Sequence, residues 1–197
     1  MPTADPSVPP ASAPRRLLLM GPPGSGKGTI GAALSAWLGV PHVSSGRLLR
    51  ATVADGDPYG IGPGLAAGQF APDELVTRIV TERLGDGFIL DGYPRTDDQA
   101  AMLDAVLAAR ARPLQVVLDL EVPDGEVRAR LVHRATTEGR QDDTPATVEA
   151  RLATWHGEVA PLRTHYGHLV RLVDAVGPPD EVVMRAQAAL GLSPPRR

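Results

Sequence analysis

The densest chemistry in the chain lies in nine residues: Gly21, Pro22, Pro23, Gly24, Ser25, Gly26, Lys27, Gly28 and Thr29, reading GPPGSGKGT. Glycines bracket a four-residue gap and Lys27 follows at once. This is the pattern G-x-x-x-x-G-K, with Thr29 one place beyond the usual hydroxyl. Glycine lets the backbone turn back and aim successive N–H groups inward, and a side chain there would block an approaching phosphate. A helix beginning near Lys27 adds the positive end of its dipole. Lys27 adds a mobile point charge for outer phosphates. Residues Gly24 to Thr29 are therefore expected to cradle a nucleoside triphosphate.

Arginines in particular places form the second group. Arg95 lies in DGYPRT, just past an apolar run, and Arg50 ends SSGRLLR. Arg130 and Arg134 are four apart, hence on one face of a helix. Arg140 sits in the polar segment TTEGRQDDT, and Arg151 lies just over a turn into the next helical stretch. A single arginine is usually a solvated surface residue. A set flanking a phosphate loop points instead to a second phosphate facing the first. Phosphoryl transfer asks the protein mainly for positioning and charge neutralisation. Guanidinium groups hold phosphate oxygens two at a time. Excluding water strengthens them, which calls for a lid, and residues 136–144 suit one.

Among carboxylates, Asp91 ends the apolar run GFILD, well placed to hold a magnesium ion through water. Asp119, inside VVLDLEV, suits a structural role equally well, and Asp142 and Asp143 belong to the lid segment. The histidines, His42, His133, His156, His165 and His168, show no metal spacing and read as structural or surface residues. No Ser/His/Asp arrangement stands out.

These residues need a scaffold that brings them to one edge. Short apolar runs at 16–20, 41–43, 87–91, 115–120 and 169–173 alternate with helical stretches at 27–38, 46–55, 73–84, 96–110, 123–135, 145–165 and 179–190. That rhythm predicts a parallel sheet covered on both faces, with its ligand site in the loops at the strand ends. Thr144-Pro145 and Pro72-Asp73-Glu74 carry helix-start signals. Residues 56–64, GDPYGIGPG, read as a loop. Residues 1–14 and 193–197 are Pro-rich and are expected to be disordered tails.

Composition narrows the classes. The 197 residues suit one domain, 43% hydrophobic, with a net charge of −3 and no basic block that would suggest a nucleic-acid face. There are no cysteines, which excludes disulfides, a thiol nucleophile and Cys-based zinc. No run approaches the roughly 20 apolar residues of a membrane span.

With these motifs in hand, the chain resembles the nucleoside monophosphate kinases, most closely a short-lid adenylate kinase. The resemblance runs from about residue 15 to 192. It rests on GPPGSGKGT, PHVSSGRLLR, GQFAPDELV, GFILDGYPRT with Gln99, GRQDD and EARL, in that order. It implies a P-loop three-layer αβα fold with a five-stranded parallel sheet, a helical acceptor-binding segment at 45–74 and a short lid at 135–144. It implies ATP and Mg2+, and reversible transfer of the γ-phosphoryl group to AMP. Lys27 and the loop amides would hold the ATP phosphates, and Thr29 and Asp91 would shape the magnesium site. Arg50 and Arg95 would hold the acceptor phosphate. Arg130 would cover the ATP base, while Arg134, Arg140 and Arg151 would close over the transferring group. Gln99 would read adenine, with Ser45, Gly46, Leu49, Ala71 and Gly92 completing the acceptor pocket. A cytoplasmic monomer without nucleic-acid or membrane partners is the implied setting.

Two departures bear on that expectation. Arg47 stands where the family usually has an acid near the magnesium waters, so the metal site is expected to rest on Asp91 alone. The segment 56–67 is about two residues short and rich in Gly and Pro, which break helices. A kinase for CMP, UMP or a specialised phosphorylated metabolite is the alternative, and a nucleotide-binding module without catalysis is a third reading.

Overall fold

A computed structural model describes residues 12–66, 69, 71–137 and 144–191, leaving out the side chains of 134–137. Five strands, β1 Arg16–Met20, β2 His42–Ser44, β3 Phe88–Asp91, β4 Val116–Glu121 and β5 Val170–Asp174, form one sheet. Their order is β2-β3-β1-β4-β5 and every pairing is parallel. The five expected strands are all present, shifted by a residue at most.

The three inner strands, β3, β1 and β4, are apolar along most of their length because both of their faces are buried. Alternate residues serve different cores, as the two-residue period of a strand requires. Leu18, Met20, Phe88 and Leu90 enter one cluster, while Leu17, Leu19, Ile89 and Leu118 enter the other. All eight are at most 2% exposed. Truncating one of these leucines to Ala would cost about 2–5 kcal/mol.

The covering helices are α1 Lys27–Leu38, α2 Ser45–Ala54, α3 Gly62–Ala66, α4 Asp73–Thr81, α5 Asp97–Ala109, α6 Asp124–Thr137, α7 Pro145–Thr154, α8 Leu162–Tyr166 and α9 Pro179–Ala189. Side chains set several starts. Thr144 accepts from the Thr147 N–H at 3.2 Å, and Thr96 accepts from the Gln99 N–H at 3.2 Å. Both are N-caps that satisfy an amide with no partner inside the helix.

Two stretches differ from the sequence reading. The helix expected over 145–165 is divided: α7 ends at Thr154, a π-helical turn spans Trp155–Val159, and α8 follows. Pro161 has no N–H to continue the ladder, and Ala160 N–H reaches back five residues to Trp155 O at 2.8 Å. The expected loop at 56–64 instead leads into α3. Asp57 organises it, because its two carboxylate oxygens accept from Ile61 N–H and Gly62 N–H, each at 2.8 Å. A single carboxylate thus offsets the poor helix propensity of glycine and proline there.

Candidate active site

The phosphate loop leaves β1 at the centre of the sheet. Gly24 and Gly26 have φ of 77° and 92°, the left-handed region that glycine enters without strain. Gly26 is also the N-cap of α1, whose first bond runs from Ile30 N–H to Gly26 O at 2.9 Å. The helix therefore begins at Lys27, as the motif requires. Lys27 Nζ donates to Gly21 O at 2.6 Å and Pro22 O at 2.8 Å, so the ammonium folds across the mouth of its own loop. Gly28 and Thr29 are exposed in the first turn.

Beside the loop opens a cleft of about 280 Å³. Gly24, Gly26 and Thr29 line one side, Arg130 and Glu126 another, and the 175–179 connection after β5 a third. Arg130 is held in place: its Nε donates to Glu126 Oε1 at 2.8 Å and its Nη2 to Ala175 O at 3.0 Å. Its planar group is thus displayed on the wall of a pocket adjoining the loop amides. The sequence reading missed Glu126 and the 175–179 connection, since nothing in an Ala-Val-Gly-Pro run signals a pocket wall. A larger cleft, about 440 Å³, shares Pro22 with the loop but carries Glu121, Asp124 and Asp174. These three carboxylates outnumber Arg163 on the same wall, which disfavours a triphosphate there.

Asp91 ends β3, in register with Leu19 of β1 and Ser44 of β2. It is 8% exposed. Burial alone would push its carboxyl up. The His42 contact and the charges of Lys27 and Arg47 outweigh that and hold it below the usual carboxylate range. An ionised carboxylate near Lys27, with the Thr29 hydroxyl on the neighbouring helix, is a set of hard oxygen donors that fits a magnesium ion carried by phosphate and water. Among the described residues no group of three or more His, Cys, Asp or Glu is arranged to hold a metal unaided. Asp119, by contrast, is fully buried and ion-paired to Arg163, which is a structural role.

The other half of the site gathers around Gly92. Its carbonyl accepts from Ser45 Oγ at 2.7 Å and from Arg95 Nε at 2.8 Å. A Cβ on Gly92 would stand 2.9 Å from Ser45 Oγ, so the close approach needs glycine. A Cβ on Gly46 would meet Arg50 Nη1 at 3.3 Å, which places that guanidinium over the start of α2. Burial pushes Arg95 down from its ordinary value; Asp91 opposes this, and the like charge of Arg151 adds to it. Arg151, from α7, is therefore within electrostatic reach of Arg95. Leu49 is half-buried and Ala71 buried against the same core cluster as Tyr93.

Gln99 is 4% exposed, and its amide is engaged at both ends. Its Oε1 accepts from Arg95 N–H at 2.8 Å and its Nε2 donates to Asp73 Oδ1 at 2.6 Å. Asp73, noted in the sequence only as a helix-start acid, thus braces the turn that carries Arg95. Arg140 and most of the expected lid at 135–144 lie outside the described residues, as does the side chain of Arg134.

The arrangement is one anion cradle at the end of β1 and a guanidinium cluster beyond β3, with Asp91 between them. A family model described as adenylate kinase matches residues 19–170. An adenylate kinase of Xylella fastidiosa is 45% identical, the match covering 89% of this chain and 99% of the relative. One from Mycolicibacterium smegmatis is 43% identical over the same shares, and one from Xanthomonas campestris 44% identical. The chain belongs to the adenylate kinase family.

Proposed function

We propose that this protein transfers the γ-phosphoryl group of MgATP to AMP, reversibly, giving two ADP. The observation that carries this reading is the pair of anion sites flanking Asp91. Lys27 and the loop amides form one, and Arg95 with Arg50 and Arg151 forms the other. A protein that only bound ATP would need the first alone. Adenylate kinase relatives at 43–45% identity support the choice of acceptor.

In this reading the loop amides and Lys27 grip the donor phosphates, and Arg130 covers the base. Arg95 and Arg50 hold the acceptor phosphate, steadied through Gly92 by Ser45. Arg134, Arg140 and Arg151 close over the transferring group and exclude water. A bound Mg2+ would neutralise charge on the donor phosphates, with Asp91 and Thr29 holding its water shell. The same reading makes the chain a monomeric cytoplasmic enzyme with small-molecule partners. Among the described residues no helix is long and apolar enough to cross a membrane.

A second reading, another nucleoside monophosphate as acceptor, is favoured by one observation. Both ends of the Gln99 amide are already occupied by Arg95 and Asp73. A coupled assay of ADP formation across AMP, GMP, CMP, UMP and dTMP decides between the two. AMP is expected to be the best acceptor, with turnover collapsing in Lys27→Ala and Arg95→Ala. Turnover of the others without AMP would transfer the assignment to that acceptor, and no turnover with any would leave a binding module.

A further inference from the structure

His42, which the sequence offered only as a structural or surface histidine, lies against Asp91. Its Nε2 is 3.4 Å from Asp91 Oδ2, and its side chain is 6% exposed. That distance is long for a good hydrogen bond, yet the buried nitrogen has no better partner among the described residues. On the other side of the ring, Arg47 Nη2 lies 3.0 Å from His42 Nδ1 and donates to His42 O at 3.2 Å. A guanidinium carries donors only. Nδ1 must therefore accept, which leaves the ring proton on Nε2, facing Asp91. The ring has room because residue 31 of α1 is glycine: a Cβ there would stand 2.5 Å from Nε2 and 2.6 Å from Cε1.

We infer that Arg47 and His42 form a positioning unit for Asp91, in which Arg47 selects the tautomer of His42 and the His42 Nε2–H holds one carboxylate oxygen. The other oxygen is left to face the water shell of a divalent cation at the phosphate loop. Both are positioning residues that act through Asp91. This rests on the reading of Asp91 as the metal-side carboxylate. It accounts for a basic residue at position 47: the cation is turned onto a histidine that relays a neutral donor to the carboxylate. Outer partners of this kind orient the groups that serve a metal, and losing one weakens metal affinity by about 10-fold or more.

The alternative is that Arg47 is simply a positive charge beside a cation site, and the two accounts predict opposite signs. ATP binding to the full chain is measured by calorimetry with Mg2+ and with a chelator, and the ratio of the two affinities is the readout. Arg47→Met, at an exposed position where folding is not at risk, is expected to lower that ratio about 10-fold. If Arg47 only repels the cation, the ratio rises, and the inference is overturned. His42→Ala should lower the ratio as Arg47→Met does. His42→Gln, which keeps an N–H donor, should recover most of it; failure to recover overturns the role of the Nε2 proton. Ring 15N spectra of the full chain, taken above the imidazole titration range, provide a test independent of metal. His42 is expected as the Nε2–H tautomer, becoming mixed in Arg47→Met. A wild-type Nδ1–H tautomer, or no change in the variant, overturns the relay. None of these readouts depends on turnover, so a failed AMP assay and a failed positioning unit are distinguishable.

Discussion

In the proposed reaction Arg95 is the residue on which the acceptor half turns, and its environment says what a substitution does. Its Nε is spent on Gly92 O, its backbone N–H on Gln99, and the rest of the fork lies in a half-buried, water-poor site. Arg95→Lys keeps the charge but loses the planar fork, so it cannot bond Gly92 O and grip phosphate together. A fall of about 100-fold or more in kcat/KM for AMP is expected, with KM for ATP nearly unchanged. Steady-state kinetics with each substrate varied in turn checks it, and an equal effect on both substrates would remove Arg95 from the acceptor side. Asp91 makes a prediction with pH. Its carboxyl is held below the ordinary range in the folded chain, so its contribution is complete above the unfolded-state pKa. That contribution is lost as pH falls through the lower, folded value. Asp91→Asn should therefore flatten the acid limb of the stability curve, as seen by urea unfolding at a series of pH values. Parallel limbs in both proteins would mean that the carboxylate does not carry this linkage.

The elements show which parts of the molecule were readable beforehand. The loop, its strand and its helix were legible from residues 17–38 because the motif, the apolar run and the glycine spacing all act locally. The position of Arg95, just past β3, is legible because a strand end in a parallel sheet is a predictable address. The split of 145–165 is not legible in the apolar period, which runs through it, although Pro161 has no N–H to continue the ladder. The α3 turn was missed because Asp57 acts through its side chain at residues 61 and 62, beyond the reach of propensity. The His42–Asp91 contact could not be read at all: it joins β2 to β3 and depends on a hole over α1. That hole is testable at the level of the helix. Ala is worth about 1 kcal/mol more than Gly inside a helix, so an unobstructed Gly→Ala change stabilises. At Gly31 the added carbon meets a buried imidazole at 2.5 Å, and overpacking of about 1–3 kcal/mol outweighs the gain. Gly31→Ala should therefore lower the denaturation midpoint. Gly125→Ala in α6, where a Cβ meets nothing within 4 Å, should hold it or raise it.

At the scale of the whole molecule, each proposed nucleotide site is built from segments far apart in the chain. The cleft proposed for the donor joins residues 24–30 to Arg130 and to the 175–179 connection. The arginine cluster proposed for the acceptor joins α2, the turn after β3 and α7. Between them stands a single sheet with one core on each face, so ligand binding is linked to the unfolding of the domain as a unit. A ligand that binds only the folded state at 100 times its Kd stabilises by about 2.7 kcal/mol. For a domain of this size each kcal/mol is worth about 2–4 °C, so saturating MgATP should raise Tm by about 5–11 °C. AMP should give a separate rise through the arginine cluster. Lys27→Ala is expected to remove most of the MgATP shift and leave the AMP shift intact, while Arg95→Ala does the reverse. Thermal unfolding of the three proteins with each nucleotide alone reads this directly. Loss of both shifts in both variants would mean one shared nucleotide site, and the paired-site arrangement on which phosphoryl transfer depends would have to be given up.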